Sequence, residues 1–215
     1  SLTQILIPSM ITSIGNNAFD GCSSLKQISI PSSVTLISSH IFDGCSSLNQ
    51  IIIPSSVTSL EDSAFNLCTS LKQITIPESV ETIGDNAFDG CSSLKQIKIP
   101  SSVTSINSYV FRGCSSLKEK MFPSSVTSIG DSVFDECSSL NKISIPDSVT
   151  SFGMNIYNGI KSIEITGDIK FIPDKLFENC TTLTQISISL PITSIGKNSF
   201  CKCSSLKKIQ IPPSV

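Results

Sequence analysis

The chain has 215 residues, of which 39% are hydrophobic and 15% charged, with no Trp and a net charge of −2. That balance gives no overall electrostatic attraction for nucleic acid or a membrane surface. No run of 18 apolar residues occurs, so no membrane span is predicted, and Ser1-Leu2-Thr3-Gln4 lacks the basic start and apolar core of a signal peptide.

A 23-residue period runs along the chain. Cysteines recur at Cys22, Cys45, Cys68, Cys91, Cys114 and Cys137, phenylalanines at Phe19, Phe42, Phe65, Phe88, Phe111 and Phe134, and prolines from Pro8 to Pro146 at the same step. A fixed period of this length marks a solenoid, in which each unit buries its apolar residues against its neighbours. In the unit from Ser24, Ile28 and Ile30 have the two-residue spacing of a strand. Pro31 ends that strand, because it has no N–H for a ladder. The following apolar residues, Val34, Ile37, Phe42 and Cys45, fit neither a strand nor a long helix. Segments such as Ile83 to Gly90 read as turns with at most one short helical turn. The expected fold is a solenoid of about nine coils with one curved parallel sheet, forming a single domain over residues 1–215.

Farther along, the pattern is disturbed twice. Lys120 stands where a strand isoleucine should point inward, and its neighbour Met121 is apolar where a polar residue belongs. This predicts a local twist or slip over Lys118–Phe122. Between Leu140 and its equivalent Ile160 the step is 20, and Phe-x-x-Cys-Ser-Ser-Leu shrinks to Tyr157-Asn158-Gly159-Ile160. The phase then recovers, with Cys180 and Cys203 again 23 apart. The chain starts on a strand and stops just into a new unit without a polar capping repeat. From this we expect a fragment of a longer array, or self-association through uncapped ends.

Residues for chemistry are sparse. The nine cysteines read as a column of free, buried thiols, since free Cys behaves as a small hydrophobe and Ile160 can take a place in the column. Cys201 follows Phe200 where other units carry Asp20, Asp43, Asp89 or Asp135, so it and those acids are expected to face solvent. His40 is the one histidine and lies in a turn. Cys201-Lys202-Cys203 has no second ligand pair for zinc, and no phosphate-binding loop is present. No catalytic, cofactor or metal residue is assigned. Asn179-Cys180-Thr181 is formally a glycosylation sequon, but its middle residue belongs to the buried column.

The unit Leu-x-x-Ile-x-Ile-Pro-x-x-Val-x-x-Ile-x-x-x-Ala-Phe-x-x-Cys-x-x, read directly in Leu71–Ser93, resembles the BspA-like leucine-rich repeat, or TpLRR class. The likeness covers Leu2–Val215, apart from the contraction at 157–160, Lys120 and the shifted Pro191. The near-identical Ile-Pro-Ser-Ser-Val-Thr-Ser-Ile units are similar to the protozoan-parasite branch. The resemblance implies a curved leucine-rich-repeat solenoid that binds proteins without catalysis, as family members do when they attach to host matrix or plasma proteins. The alternative is an intracellular scaffold or phosphatase-associated regulatory subunit. The family suggests the cell surface, whereas the absent signal peptide and free cysteines suggest the cytoplasm.

Charge position carries the one functional asymmetry. Ten of the fifteen basic residues, but only two of the seventeen acids, fall in the four residues after each leading Leu or Ile, where the strand lies. The strand face is about +8 and the remainder about −10. Lys72, Lys95 and Lys118 form one column, Gln73 and Gln96 part of the next, and Lys98 and Lys142 extend the patch. These seven residues are the expected partner-binding set. Its partner would be an acidic or phosphorylated protein, or a sulfated glycan. Nucleic acid fits poorly, because no aromatic residues interleave with the lysines.

Overall fold

The computed structural model describes residues 2–188 and 191–215. Its strands in chain order are β1 (Gln4–Leu6), β2 (Gln27–Ser29), β3 (Leu36–Ile37), β4 (Gln50–Ile52), β5 (Ser59–Leu60), β6 (Gln73–Ile74), β7 (Thr82–Ile83), β8 (Gln96–Ile97) and β9 (Ser105–Ile106). They continue with β10 (Glu119–Met121), β11 (Ser128–Ile129), β12 (Lys142–Ile145), β13 (Ser151–Phe152), β14 (Ser162–Gly167), β15 (Phe171–Ile172), β16 (Gln185–Ile188), β17 (Ser194–Ile195) and β18 (Lys208–Gln210). They wind into a parallel-strand solenoid of about nine turns.

The main ladder uses the predicted strands. Gln4, Gln27 and Gln50 align across β1, β2 and β4, with Ile5, Ile28 and Ile51 beside them. The inward isoleucines are buried while their neighbours face solvent, as alternation along a strand requires. A second ladder was not expected from the sequence. It runs through the Val-x-x-Ile segment of each coil, in the groups β3-β5-β7, β9-β11-β13 and β15-β17. Its strands are two residues long, too short for alternation to register in the sequence. No helix, short or long, occurs among the described residues.

The return path is a chain of turns. Each coil places two residues in the left-handed region, the first at Asn17, His40, Ser63, Asn86, Tyr109, Ser132, Asn155, Lys175 or Asn198 and the second four residues later, as at Gly44, Gly90 and Gly113. Asn tolerates that conformation best among residues with a Cβ. His40 is therefore one member of a turn column. Backbone N–H groups link successive turns, as in Phe42 to Ala64 O (3.0 Å) and Phe65 to Ala87 O (2.9 Å). Serines staple the coils again: Ser56 Oγ donates to Val34 O (2.6 Å), Ser79 Oγ to Val57 O (2.7 Å) and Ser125 Oγ to Val103 O (2.7 Å).

Alongside the buried Leu, Ile and Val columns, a ring column and a thiol column run through the core. The rings stack from Phe19 to Phe200 with centroids 5.1–6.2 Å apart, passing through Tyr157 in a phenylalanine place. Beside them all nine cysteines are free, and column thiols donate to the carbonyl of the phenylalanine in the preceding coil, as Cys68 does to Phe42 O (3.2 Å). Burial pushes the Cys45 and Cys137 thiols up to about 12, and those of Cys68, Cys91 and Cys114 well above their ordinary value. Such thiols are poor nucleophiles.

The disturbance expected at Lys118–Phe122 falls on one side only: β8 and β10 belong to separate sheets with no ladder pairing between them, while β10 keeps its register with β12. Lys120 sits in register with Ile143, and Glu119 and Met121 pair with Lys142 and Ser144. The side chain still points inward and is 2% exposed. Its ammonium donates to Ile97 O at 2.8 Å and lies 5.2 and 5.6 Å from the Phe111 and Phe122 ring centroids. The slip lies one coil later. By repeat position Ile143 matches Ile163, yet the ladder pairs Ile143 with Ile165 and Ile145 with Gly167. A two-residue slip keeps every side chain on its own face, which a one-residue slip would not.

Candidate binding face

The outward side chains of the main ladder form the surface singled out by charge. Lys72, Lys95 and Lys118 are exposed. Lys95 N donates to Lys72 O at 3.3 Å, which stacks the two residues on neighbouring coils. Among the described residues none of the three has a carboxylate within 4 Å, since the ion pairs there involve His40, Lys98, Arg112 and Lys142. Beside them runs the amide column Gln27, Gln50, Gln73 and Gln96, in register across its strands.

Two shallow grooves share this face. One, of about 450 Å³, is lined by Asn49, Gln50, Lys72, Gln73, Lys95 and Gln96. The other, of about 550 Å³, is lined by Gln73, Thr75, Gln96, Lys98, Glu119 and Met121 together with the strand isoleucines. Gln73 and Gln96 border both. Four of the seven predicted residues, Lys72, Gln73, Lys95 and Gln96, thus meet in one groove, and Lys98 borders its neighbour. Lys118 and Lys142 line neither groove.

The basic face is narrower than the charge count predicts. Lys120 is inside. Lys98 donates to Glu78 at 2.8 Å, and that bond, with two from Ser101, holds the Glu78 carboxyl down at about 2. Lys142 lies 3.8 Å from Glu164 and in register with Glu119. Of the five predicted lysines, Lys72, Lys95 and Lys118 have no ion pair among the described residues.

Apolar members of the same face were missed. Ile52 is 71% exposed and Met121 73% exposed, both in the column that elsewhere holds Ser29, Thr75 or Ser144. The signal was present at Met121, where an apolar residue replaced a polar one, and equally at Ile52.

Of the acids after each phenylalanine, Asp20 is exposed as expected, but Asp43, Asp89 and Asp135 are not. Asp89 is buried and receives both Arg112 Nε (3.0 Å) and a second guanidinium nitrogen. Asp43 accepts from Asn66 Nδ2 (2.9 Å) and lies 3.0 Å from His40 Nδ1. Cys201 is half-buried rather than fully exposed, and Cys22 and Cys203 are half-buried too, beside the outermost rings. No group of three His, Cys, Asp or Glu residues able to hold a metal ion occurs among the described residues. Among those residues no helix is long and apolar enough to cross a membrane.

The model of the BspA type leucine rich repeat region matches residues 1–118 and 104–215, in six copies. The chain belongs to the BspA-type leucine-rich repeat family. A leucine-rich repeat protein of Bacteroides ovatus has the same fold at 30% identity and a TM-score of 0.68, over 99% of this chain and 73% of that one. The T. pallidum leucine-rich repeat protein aligns at 34% identity and 0.67, over 73% of this chain and 76% of its own. A leucine-rich cell surface protein of Faecalibacterium prausnitzii aligns at 28% and 0.53, over 93% and 63%. No curated protein matches the sequence significantly. These neighbours are bacterial, so the protozoan-like character of the repeats rests on the sequence alone.

Proposed function

We propose that this BspA-type solenoid is a protein-binding module whose strand face receives an extended acidic segment, at the cell surface. The observation that carries this is the unpaired Lys72–Lys95–Lys118 column beside the Gln50, Gln73 and Gln96 amides. Parallel coils stand about 4.8 Å apart, so three ammonium groups line a path of about 10 Å. That spacing suits side-chain carboxylates of a segment laid across the strands. The amides supply both donors and acceptors to its backbone, and exposed Met121 and Ile52 supply apolar contact at either side. The surface location rests on the Faecalibacterium neighbour, which is a cell surface protein.

The test is association of an oligoglutamate peptide. Changing both Lys95 and Lys118 to Glu should slow association by about tenfold or more with the fold intact, because both side chains point to solvent. Binding should weaken as salt shortens the Debye length from about 10 Å at 0.1 M to about 3 Å at 1 M. The control is reversal of two exposed acids, Glu81 and Asp147, off this face. Equal loss with the control pair, or binding insensitive to salt, would reduce the lysine column to a solubilising surface. Binding of a sulfated oligosaccharide but not of the peptide would make the glycan the ligand.

A further inference from the structure

The second ladder is open between β13 and β15. β13 pairs with β11 on one side only, and β15 pairs with β17 on one side only. No Cα of β13 lies within 8 Å of a Cα of β15, whereas paired strands stand about 4.8 Å apart. The other interruption of this ladder, between β7 and β9, keeps its strands within that distance. The coils around the opening remain in contact elsewhere, since Tyr157 and Phe177 stack at 5.1 Å and β12 pairs with β14. The splay is therefore confined to one flank. A shallow groove of about 520 Å³ crosses it and the adjoining β17 coil, lined by Ser151, Phe152, Phe171, Pro173 and Ser194 among others, like the groove over the paired strands β9, β11 and β13.

Sequence explains why the ladder does not close. In five other coils the residue after the inward residue donates its N–H to the preceding coil. Gly130 donates to Ile106 O (2.8 Å), Gly153 to Ile129 O (2.7 Å) and Gly196 to Ile172 O (2.7 Å). Pro173 holds that place between β13 and β15, and it has no N–H to donate. Among the described residues no other backbone group outside the strands donates to Phe152 O. The surface changes at the same coil. The outward position of this ladder is Ser or Thr at Ser59, Thr82, Ser105, Ser128, Ser151 and Ser194, and apolar at Leu36 in β3 (40% exposed) and at Phe171 (47% exposed). Met154, where neighbouring coils carry Asp131 and Asp174, is 60% exposed.

The geometry points to a docking site for an extended segment of a partner protein, which enters between β13 and β15 and completes the ladder by β-strand addition. Two facing parallel edges with unpaired backbone groups are satisfied by a backbone, not by a compact ligand. The segment would carry one aliphatic side chain directed inward between Phe152 and Ile172, with small residues on either side. That is the pattern of the chain's own Ser-Ile-Gly strands. Phe171 and Met154 would cover its outer face. This site lies on a different ladder from the lysine column and does not depend on it.

The probe is the peptide acetyl-Val-Thr-Ser-Ile-Gly-Asp-amide, which copies the strand already paired with the other edge of β13. Amide hydrogen exchange of the 215-residue chain should slow at least tenfold within Ser151–Phe152 and Phe171–Ile172 at about 1 mM peptide, a concentration suited to a short weak ligand. The same peptide N-methylated at the isoleucine loses its central backbone donor and should give no protection, and this comparison leaves the protein unaltered. Phe171→Ser should weaken binding about tenfold. Absence of protection at these four residues, protection elsewhere instead, or equal binding of the N-methylated peptide would overturn the proposal.

Discussion

Lys120 and the short coil at Tyr157–Ile163 are both departures from the repeat, and they behave differently. Lys120 changes the chemistry of one inward position without changing the chain length; β10 keeps its register against β12 but loses its ladder pairing with β8. The short coil keeps its inward residues apolar but loses three residues, and there β14 slips and the second ladder opens. The packed columns cross the short coil without a break: Tyr157 continues the rings, and Ile160 is fully buried in the cysteine column. Stacked side chains need only shape and apolarity, while a hydrogen-bonded ladder needs residue count. Each departure therefore interrupts a ladder beside it, and only the missing residues also shift the register and change the surface.

The largest expected effect is at Lys120. Burial pushes its ammonium down to about 7 from an ordinary value of 10.5. The facing titratable group is Cys114, whose own thiol burial holds well above its usual value, and no carboxylate is paired with Lys120 among the described residues. Above pH 10.5 the side chain is neutral in both the folded and unfolded chain. As pH falls from there toward 7 the unfolded chain takes up the proton and the folded one does not, so folding stability falls. The slope is about 1.4 kcal/mol per pH unit and the total about 4–5 kcal/mol, levelling off below pH 7. Replacing Lys120 with Ile should remove that slope and raise stability at neutral pH by a similar amount. Denaturant unfolding of both proteins between pH 6 and 10 measures it. Parallel pH profiles for the two would mean that Lys120 keeps its proton in the core, and that the register survives for another reason.

At the short coil the chemistry is nearly right and one atom is wrong. The Tyr157 hydroxyl is buried with no hydrogen-bond partner among the described residues, and burial raises its pKa well above the ordinary value. An unsatisfied buried hydroxyl costs about 1–3 kcal/mol. Tyr157→Phe restores the residue every regular coil carries and should stabilise by that amount in chemical denaturation. A loss of stability would show that the hydroxyl has a partner in solution, most simply a water entering through the open flank.

The sequence displays features that repeat and hides those that depend on counting. Strand positions, the ring column and the thiol column follow from a 23-residue period in which identical residues stack on identical residues. The second ladder was illegible, because two-residue strands such as Ser128–Ile129 leave no alternation to detect. The slip was assigned to Lys120 because a charge at an inward position looks more disruptive than a three-residue shortening of a turn. A lysine can still lie flat against two rings and reach a carbonyl, whereas no side chain replaces missing backbone. Four of the seven residues chosen for binding share one groove, since the charge asymmetry was itself periodic. Pairing of Lys98 with Glu78 was not legible, because the two stand in different coils and only the fold brings them together.

The thiols give the finest test of whether the opening at the short coil stays on the flank. Nine free cysteines report on depth along the whole stack. Cys22, Cys201 and Cys203 are half-buried, and the rest are buried. Cys180 is the informative one, because it follows the short coil directly and is 1% exposed, with its thiol held up to about 12 by burial. If the splay between β13 and β15 is confined to the second ladder, Cys180 should be as inert as Cys91 and Cys114, which lie among regular coils. A disulfide-exchange reagent at neutral pH should then label three sites in the native protein, at Cys22, Cys201 and Cys203, and reach the other six only on unfolding. Peptide mapping identifies the sites. The rate at Cys180 decides between two mechanics for the same gap. A slow Cys180 means that the columns bear the missing residues rigidly, so the groove is a standing feature available to a partner. A Cys180 that reacts with the half-buried set means that the coil breathes as a unit, the flank opens only with the core behind it, and the division between tolerant packing and intolerant register fails at this coil.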